Sequence, residues 1–258
     1  MKLHSARTLC AALLLCAVSP MAASAAAVAE TGSSATISIG NTAVPSSGRV
    51  VLVDANSAQL YMVEDGQVRD TMKVIVGKPD AATPSIKSTI QYATLNPYWH
   101  VPTDLARTII APRVLKDGAS YLSERGYEVL SDFSDNAYVL PAGSVDWEAV
   151  ADGREKVYVR QRPGPANSMG KMKFTFYNED GIYLHDTPRK ELFEEEQRNL
   201  SAGCVRLEDA PRLARWLMGD APLGQAQSPE QKVALPAPVP IMITYLDQPA
   251  RMQLAALR

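Results

Sequence analysis

Between residues 49 and 96 the chain alternates large apolar and polar residues at a period of two, and Gly, Pro and Asp interrupt it at short intervals. Arg49-Val50-Val51-Leu52-Val53-Asp54 is rich in β-branched residues, and Gln59-Leu60-Tyr61-Met62-Val63 alternates after it. Glu64-Asp65-Gly66-Gln67 then has hairpin-turn chemistry, because glycine accepts positive φ without steric cost. Residues 68–76 extend the meander, and Ser88-Thr89-Ile90-Gln91-Tyr92-Ala93-Thr94-Leu95-Asn96 repeats the period. A helix cannot bury a period-two pattern on one face, so this half of the chain is predicted to be an antiparallel β layer.

The period changes after Asn96-Pro97-Tyr98-Trp99-His100-Val101-Pro102. Thr103 and Asp104 offer a cap, and Leu105, Ile109, Ile110 and Val114 recur at helical spacing up to Gly118. A second short helix is expected from Ser120 to Glu124. Residues 103–163 therefore form a partly helical insertion between two parts of a β scaffold. Strands resume at Val157-Tyr158-Val159-Arg160-Gln161 and at residues 171–177, where Met172, Phe174 and Phe176 share a face opposite Lys173 and Thr175. His185 is expected at the end of the next strand. A short helix is predicted over residues 189–196, another with Leu213, Trp216 and Leu217 on one face before Gly219, a helical turn near residues 228–231, and a last strand over 239–246.

The N-terminus reads as a targeting segment. Lys2 and Arg7 precede an apolar run of signal-peptide length, and Ala23-Ser24-Ala25 or Ala27-Val28-Ala29 offers a small-x-small cleavage site. The run is too short to span a bilayer, so residues 1–25 are expected to be a signal peptide, cleaved as late as residue 29, and the mature chain to be exported with no transmembrane span. Residues 26–47, mostly small, are expected to be a flexible linker. Residues 249–258 read as a tail. A formal charge of -2 and the lack of a basic stripe argue against a nucleic-acid partner.

Export would remove Cys10 and Cys16 and leave Cys204 as the sole thiol. A lone cysteine often serves as a small buried hydrophobe, but an unpaired one in an oxidising compartment is also a candidate nucleophile. A thiol attacks carbonyls as its thiolate, and a neighbouring imidazole is the usual means of making one. His185 lies 19 positions earlier, which permits but does not compel a meeting. Ser201, Ala202 and Gly203 before Cys204 allow backbone N–H groups to approach a substrate. Arg206 reads either as a carboxylate-orienting residue or as half of a surface ion pair. Cys204, His185 and His100 have no recognisable metal-ligand spacing, so neither metal nor cofactor is expected. His100 reads as a structural neighbour of Trp99.

The elements Tyr183-Leu184-His185-Asp186-Thr187-Pro188 and Ser201-Ala202-Gly203-Cys204-Val205-Arg206 resemble the histidine and cysteine motifs of the YkuD-type L,D-transpeptidases. Val74-Ile75-Val76-Gly77-Lys78-Pro79, Asn96 to Pro102, Arg160-Gln161-Arg162-Pro163-Gly164-Pro165 and Gly170-Lys171-Met172-Lys173-Phe174 resemble in particular the lid-bearing, YcbB-like branch. The resemblance implies a mainly β fold: a β-sandwich of mixed sheets with a few helices, spanning residues 48–248, with a lid insertion at 103–163. It implies a periplasmic, cell-envelope enzyme that joins peptidoglycan stem tetrapeptides by 3–3 cross-links and is acylated by carbapenems. It also implies Cys204 as nucleophile, His185 as base, the Asp186 carbonyl orienting His185, Gly203 and Cys204 N–H groups holding the oxyanion, and Tyr183, Arg206 and Trp99 at the substrate. A carboxypeptidase or amidase using water as acceptor, or a non-catalytic wall-binding protein, stays open. Two features depart from the family pattern: Ala202 stands where many members carry histidine, and no obvious peptidoglycan-binding module precedes Arg49.

Overall fold

The alternating residues of the first half become long strands. The computed structural model describes residues 35–258; the expected signal segment lies outside them. A hairpin of β1 (Thr36–Ile39) and β2 (Thr42–Pro45) comes first. β3 (Arg49–Asp54), β4 (Gln59–Glu64) and β5 (Gln67–Gly77) follow as an antiparallel meander. The β4–β5 turn has Asp65 and Gly66 at φ of 51° and 72°, as a tight two-residue hairpin requires. β6 (Ile86–Leu95) completes this part.

The insertion opens with β7 (Trp99–Val101). α1 (Thr103–Leu105) runs through a π-helical turn at Ala106–Ile110 into α2 (Ala111–Asp117), and α3 (Ser120–Glu124) follows. Then come β8 (Tyr127–Leu130), β9 (Val139–Leu140), α4 (Trp147–Ala151) and β10 (Tyr158–Gln161). The helices match the expectation, but the loop-rich remainder is organised by a four-stranded antiparallel sheet in the order β7-β10-β8-β9. β10 is the strand expected at residues 157–161, whereas β7, β8 and β9, of two to four residues, carry too little periodicity to be read from sequence. Val101, Ala106, Ile110, Val114, Val129, Trp147 and Val159 form a core of the insertion's own.

The chain returns to the scaffold at β11 (Met172–Phe176), β12 (Leu184–His185), β13 (Asn199–Ser201) and β14 (Val205–Leu207). The helix predicted near residue 190 is a 3-10 turn, Lys190–Glu194. α5 (Ala210–Met218) is capped by Asp209, which accepts the Arg212 N–H, and ends at Gly219. The helical turn predicted at 228–231 is a non-helical turn at residues 228–230 that leads, through Glu230 at positive φ, into β15 (Gln231–Thr244). α6 (Gln248–Ala255), capped by Asp247, ends the chain.

The main sheet runs β13-β5-β14-β12-β11-β6-β15-β3-β4, and β4 also pairs with β5. The ladder therefore closes on itself. β5 makes this possible: residues 67–73 pair with β4, while Val74 and Ile75 pair with β14. The two layers of the expected sandwich are thus one continuous mixed sheet, with parallel pairs at β12–β14, β15–β3 and β13–β5. Val51, Val53, Leu60, Met62, Phe174, Leu184, Val205 and Ile241 fill its interior together with Leu213 and Leu217 of α5.

Two sequence expectations are corrected on the outer face of β3 and β4. Residues 36–45 are not a flexible linker, nor is 249–258 a loose tail. Ile39 and Val44 of the hairpin and Ala250 and Leu254 of α6 are buried together against Val50, Leu52, Tyr61 and Val63. Burial on both faces explains why residues 50–53 are apolar without interruption.

Asn167 closes the base of the insertion. Its buried side chain donates to the carbonyls of Pro97 (2.8 Å), Gln161 (3.3 Å) and Arg162 (3.0 Å), joining the segments that lead into and out of the insertion. Asn167→Ala would leave these carbonyls short of a donor, and a loss of about 2–3 kcal/mol is expected from buried polar groups without partners. Urea unfolding followed by tryptophan fluorescence measures it; an unshifted midpoint would contradict this account.

Candidate active site

Two short strands assemble the site. β12 and β14 pair in parallel with Leu184 opposite Val205 and His185 opposite Arg206. Paired residues share a sheet face and successive residues alternate, so Leu184, Val205 and Leu207 point into the core, where each is fully buried. His185 and Arg206 point the other way. Cys204, one step before Val205, follows the same parity, and the three line a single cavity of about 130 Å³. The insertion covers it with Trp99 from β7 and with Leu105 and Ile109 from α1 and the π-helical turn. Ser168, Met169, Ser201 and Ala202 complete the wall.

The imidazole is fixed from one side. His185 Nδ1 bonds to the Asp186 carbonyl, which can only accept, so Nδ1 carries the proton and Nε2 the lone pair. Asp186 is itself held. Its Oδ2 accepts the Lys171 N–H at 2.9 Å, and its Oδ1 accepts from Lys190 Nζ at 2.8 Å. Gly170 makes room for that carboxylate: a Cβ there would overlap it, and φ is +61°. The Cys204 thiol, half-buried, donates weakly to the Gly181 carbonyl at 3.9 Å. Gly203 takes φ of 113°, and its N–H donates to Ser201 Oγ at 3.2 Å.

The other residues singled out from sequence divide. Trp99 and Arg206 share the cavity with Cys204 and His185. The Arg206 side chain makes no hydrogen bond or ion pair with any of the described residues, and burial and the nearby Arg189 lower its pKa. Tyr183 lines instead an open groove of about 560 Å³ with Gln91, Tyr92, Asn178 and Gly181. Lys173, read from sequence only as part of a polar strand face, is paired across the ladder with His185. Its Nζ lies 2.7 Å from Glu230 and 5.5 Å from the centre of the Tyr183 ring.

This chemistry has a counterpart among known proteins. Residues 48–241 match the L,D-transpeptidase catalytic domain, YkuD. The chain belongs to this family. A Haemophilus influenzae protein whose name includes L,D-transpeptidase is 33% identical over 178 residues, which is 69% of this chain and 35% of that protein. The chain thus spans about a third of the length of the curated relative it matches. Solved structures that resemble it include an L,D-transpeptidase from Mycobacterium smegmatis, at 16% identity and a TM-score of 0.38 over 77% of this chain and 59% of that one. Another is the catalytic domain of the E. faecium L,D-transpeptidase acylated by ertapenem, at 14% identity and a TM-score of 0.36 over 76% and 97%.

In this L,D-transpeptidase domain, burial sets the protonation of the pair. It pulls His185 down to about 4, against the smaller upward pull of its bond to Asp186, while Arg206 and Lys173 push further down. It also raises the Cys204 thiol above its ordinary value, opposed by the Tyr183 N–H and Arg206. Low polarity thus disfavours both charged forms and favours a neutral thiol and a neutral imidazole in the shared cavity. Among the described residues no cluster of His, Cys, Asp or Glu is arranged to hold a metal ion. Of the wall residues, Leu105 and Ile109 carry in sequence only the spacing of a helix, and Ile109 is half exposed. Ser168 and Met169 had no local signal.

Two predictions follow from this geometry. With Cys204 as nucleophile and His185 as base, the reading proposed below, acylation by a β-lactam would require the unprotonated imidazole, so the rate should fall on the acid side through about pH 4 and stay level from pH 5 to 8. An acid limb near the ordinary histidine value of about 6.5 would contradict the buried neutral pair. Gly170→Ala should displace Asp186, and with it His185, slowing acylation about tenfold or more, as expected when a reacting group moves by about 1 Å. Stopped-flow absorbance of the β-lactam reads both rates.

Proposed function

We propose that this chain is a peptidoglycan L,D-transpeptidase of the cell envelope, in the lid-bearing branch, that forms 3–3 cross-links through a thioester on Cys204. The observation that carries the reading is the single cavity in which Cys204, the oriented imidazole of His185 and the unpaired Arg206 meet beneath an apolar lid. Arg206 matches a carboxylate of the stem tetrapeptide, since a desolvated, unpartnered guanidinium favours an anionic group that binds it through two N–H donors. Trp99, Leu105 and Ile109 exclude water above the sulfur.

His185 Nε2 takes the thiol proton as sulfur adds to the carbonyl carbon of the third stem residue. The developing oxyanion is held by the Cys204 N–H, joined by the Gly203 N–H as it leaves its long bond to Ser201. The peptide bond to the fourth residue then breaks, its nitrogen takes the proton from His185, and D-alanine departs. A side-chain amine of a neighbouring stem attacks the thioester and gives its proton to His185. The carbon–sulfur bond breaks, and the proton returns to sulfur. The groove lined by Tyr183 and Gly181 supports an amine acceptor, because Gly181, whose carbonyl lies 3.9 Å from the Cys204 sulfur, is also part of its wall. Carbapenems, whose strained amide presents the same carbonyl, acylate the same sulfur.

Incubation of the mature protein with disaccharide tetrapeptide and mass spectrometry of the products tests the reading. Dimers with loss of one D-alanine are expected; tripeptides alone would make the protein a carboxypeptidase, and unchanged substrate would leave a binding role. Cys204→Ala should abolish the carbapenem mass shift, and a shift that persists in that variant would remove Cys204 as nucleophile. His185→Ala should slow acylation by about 10²–10⁴, the usual range for a lost general base.

A further inference from the structure

We infer that Thr83 is a positioning residue for this reaction, aiming the backbone N–H of Cys204 at the oxyanion. The inference rests on the reading of Cys204 as the acylated residue. Thr83 lies far from the motif in sequence and does not line the cavity; its side chain is almost wholly buried behind the turn.

A trans peptide group is planar, and its C=O and N–H point in opposite directions. The Gly203 carbonyl and the Cys204 N–H belong to one such group, so whatever holds the first aims the second. The Gly203 carbonyl accepts a hydrogen bond from Thr83 Oγ1 at 2.7 Å, and Thr83 Oγ1 accepts the Gly77 N–H at 2.9 Å. With the Gly77 N–H supplying its proton, the hydroxyl must turn its own proton toward Gly203. This makes the rotor a one-way clamp.

The neighbouring peptide groups of the turn are also tied. The Ser201 carbonyl accepts the Lys78 N–H at 3.0 Å, the Gly203 N–H donates to Ser201 Oγ, and Ser201 Oγ donates to the Cys204 carbonyl at 2.6 Å. The Val205 N–H donates to the Tyr183 carbonyl at 3.0 Å. By contrast, the Cys204 N–H has no acceptor among the described residues, so it is the donor of the clamped group left available to a ligand.

The clamp has a base of its own. The Tyr245 hydroxyl donates to the Thr83 carbonyl at 2.7 Å, fixing the residue from the segment just beyond β15. Gly77 has no room for a side chain, since a Cβ would overlap the Ala81 carbonyl and the Thr83 nitrogen. The loop from Gly77 to Thr83, with its 3-10 turn at Pro79–Ala81, is thus folded tightly back on itself so that the hydroxyl reaches both partners. Preorganised donors of this kind lower the barrier because nothing need turn as charge develops on the carbonyl oxygen.

Two reagents separate this role from general support. A carbapenem is attacked at its β-lactam carbonyl: the carbon–sulfur bond forms through an oxyanion, the ring carbon–nitrogen bond breaks, and the nitrogen takes a proton. Iodoacetamide is attacked at a saturated carbon: the carbon–sulfur bond forms, iodide leaves, and no oxyanion arises. Thr83→Val, which keeps the shape and removes the hydroxyl, is expected to slow carbapenem acylation about 10- to 100-fold, somewhat less than the loss of an oxyanion donor outright. Alkylation should stay within about twofold of wild type on the same scale, and Thr83→Ser should restore acylation. Acylation of Thr83→Val at the wild-type rate, or equal slowing of both reactions, would overturn the inference. If Thr83→Val fails to fold, the ratio of the two rates is read in Thr83→Ser, where it should match wild type; a lowered ratio there overturns the inference. The underlying reading fails differently: if wild type is acylated at a residue other than Cys204, as peptide mass mapping would show, the nucleophile assignment falls, whereas acylation at Cys204 that ignores Thr83 removes only the clamp.

Discussion

The site depends on the parallel register between β12 and β14. Pairing Leu184 with Val205 sends both into the core, and the same register turns His185, Cys204 and Arg206 toward the lid. Because side chains alternate strictly, a slip of one residue in β12 would bury the imidazole and expose Leu184, and one in β14 would bury the guanidinium and expose Val205 and Leu207. Burying a Leu or Val side chain is worth about 1.5–3 kcal/mol, so the apolar half of each strand is what holds the polar half in place. Register is therefore a stability property that the chemistry inherits.

Closure of the sheet supports those short strands. β12 has two residues and β14 three, too few to be stable as an isolated pair. They are held because β11 flanks one side and β5 the other, and β5 is long enough to pass from one layer to the next. The turn before Cys204 is then tied to the loop after β5, so the scaffold strand that closes the ring also fixes the backbone next to the thiol. Low polarity at this point disfavours the charged forms of both thiol and imidazole. The insertion, with a core of its own, lines the cavity without contributing to the interior of the main sheet.

Much of this was legible in the sequence, for identifiable reasons. The period-two runs from Arg49 to Leu95 and the Asp65-Gly66 turn follow from local sterics and appear as predicted. The cap at Asp209 and the stop at Gly219 were readable because helix ends leave backbone groups that particular side chains and conformations satisfy. What misled was composition: small residues at 36–45 looked like linker, yet Ile39 and Val44 suffice to dock the hairpin once α6 supplies the opposite surface.

By itself the sequence determined the strand-rich architecture, the helical start of the insertion and the rarity of the two reactive side chains, since these rest on local periodicity, turn chemistry and composition. Tertiary structure decided the rest: that His185 and Cys204 share a cavity, that Tyr183 faces a separate groove, that the lid contains its own sheet, and that Thr83 meets Gly203 across 120 positions. Each of these depends on contacts between residues distant in the chain, formed by strand pairing and shared burial. No local pattern encodes which strand will lie beside which, because that choice is made by the packing of the whole interior.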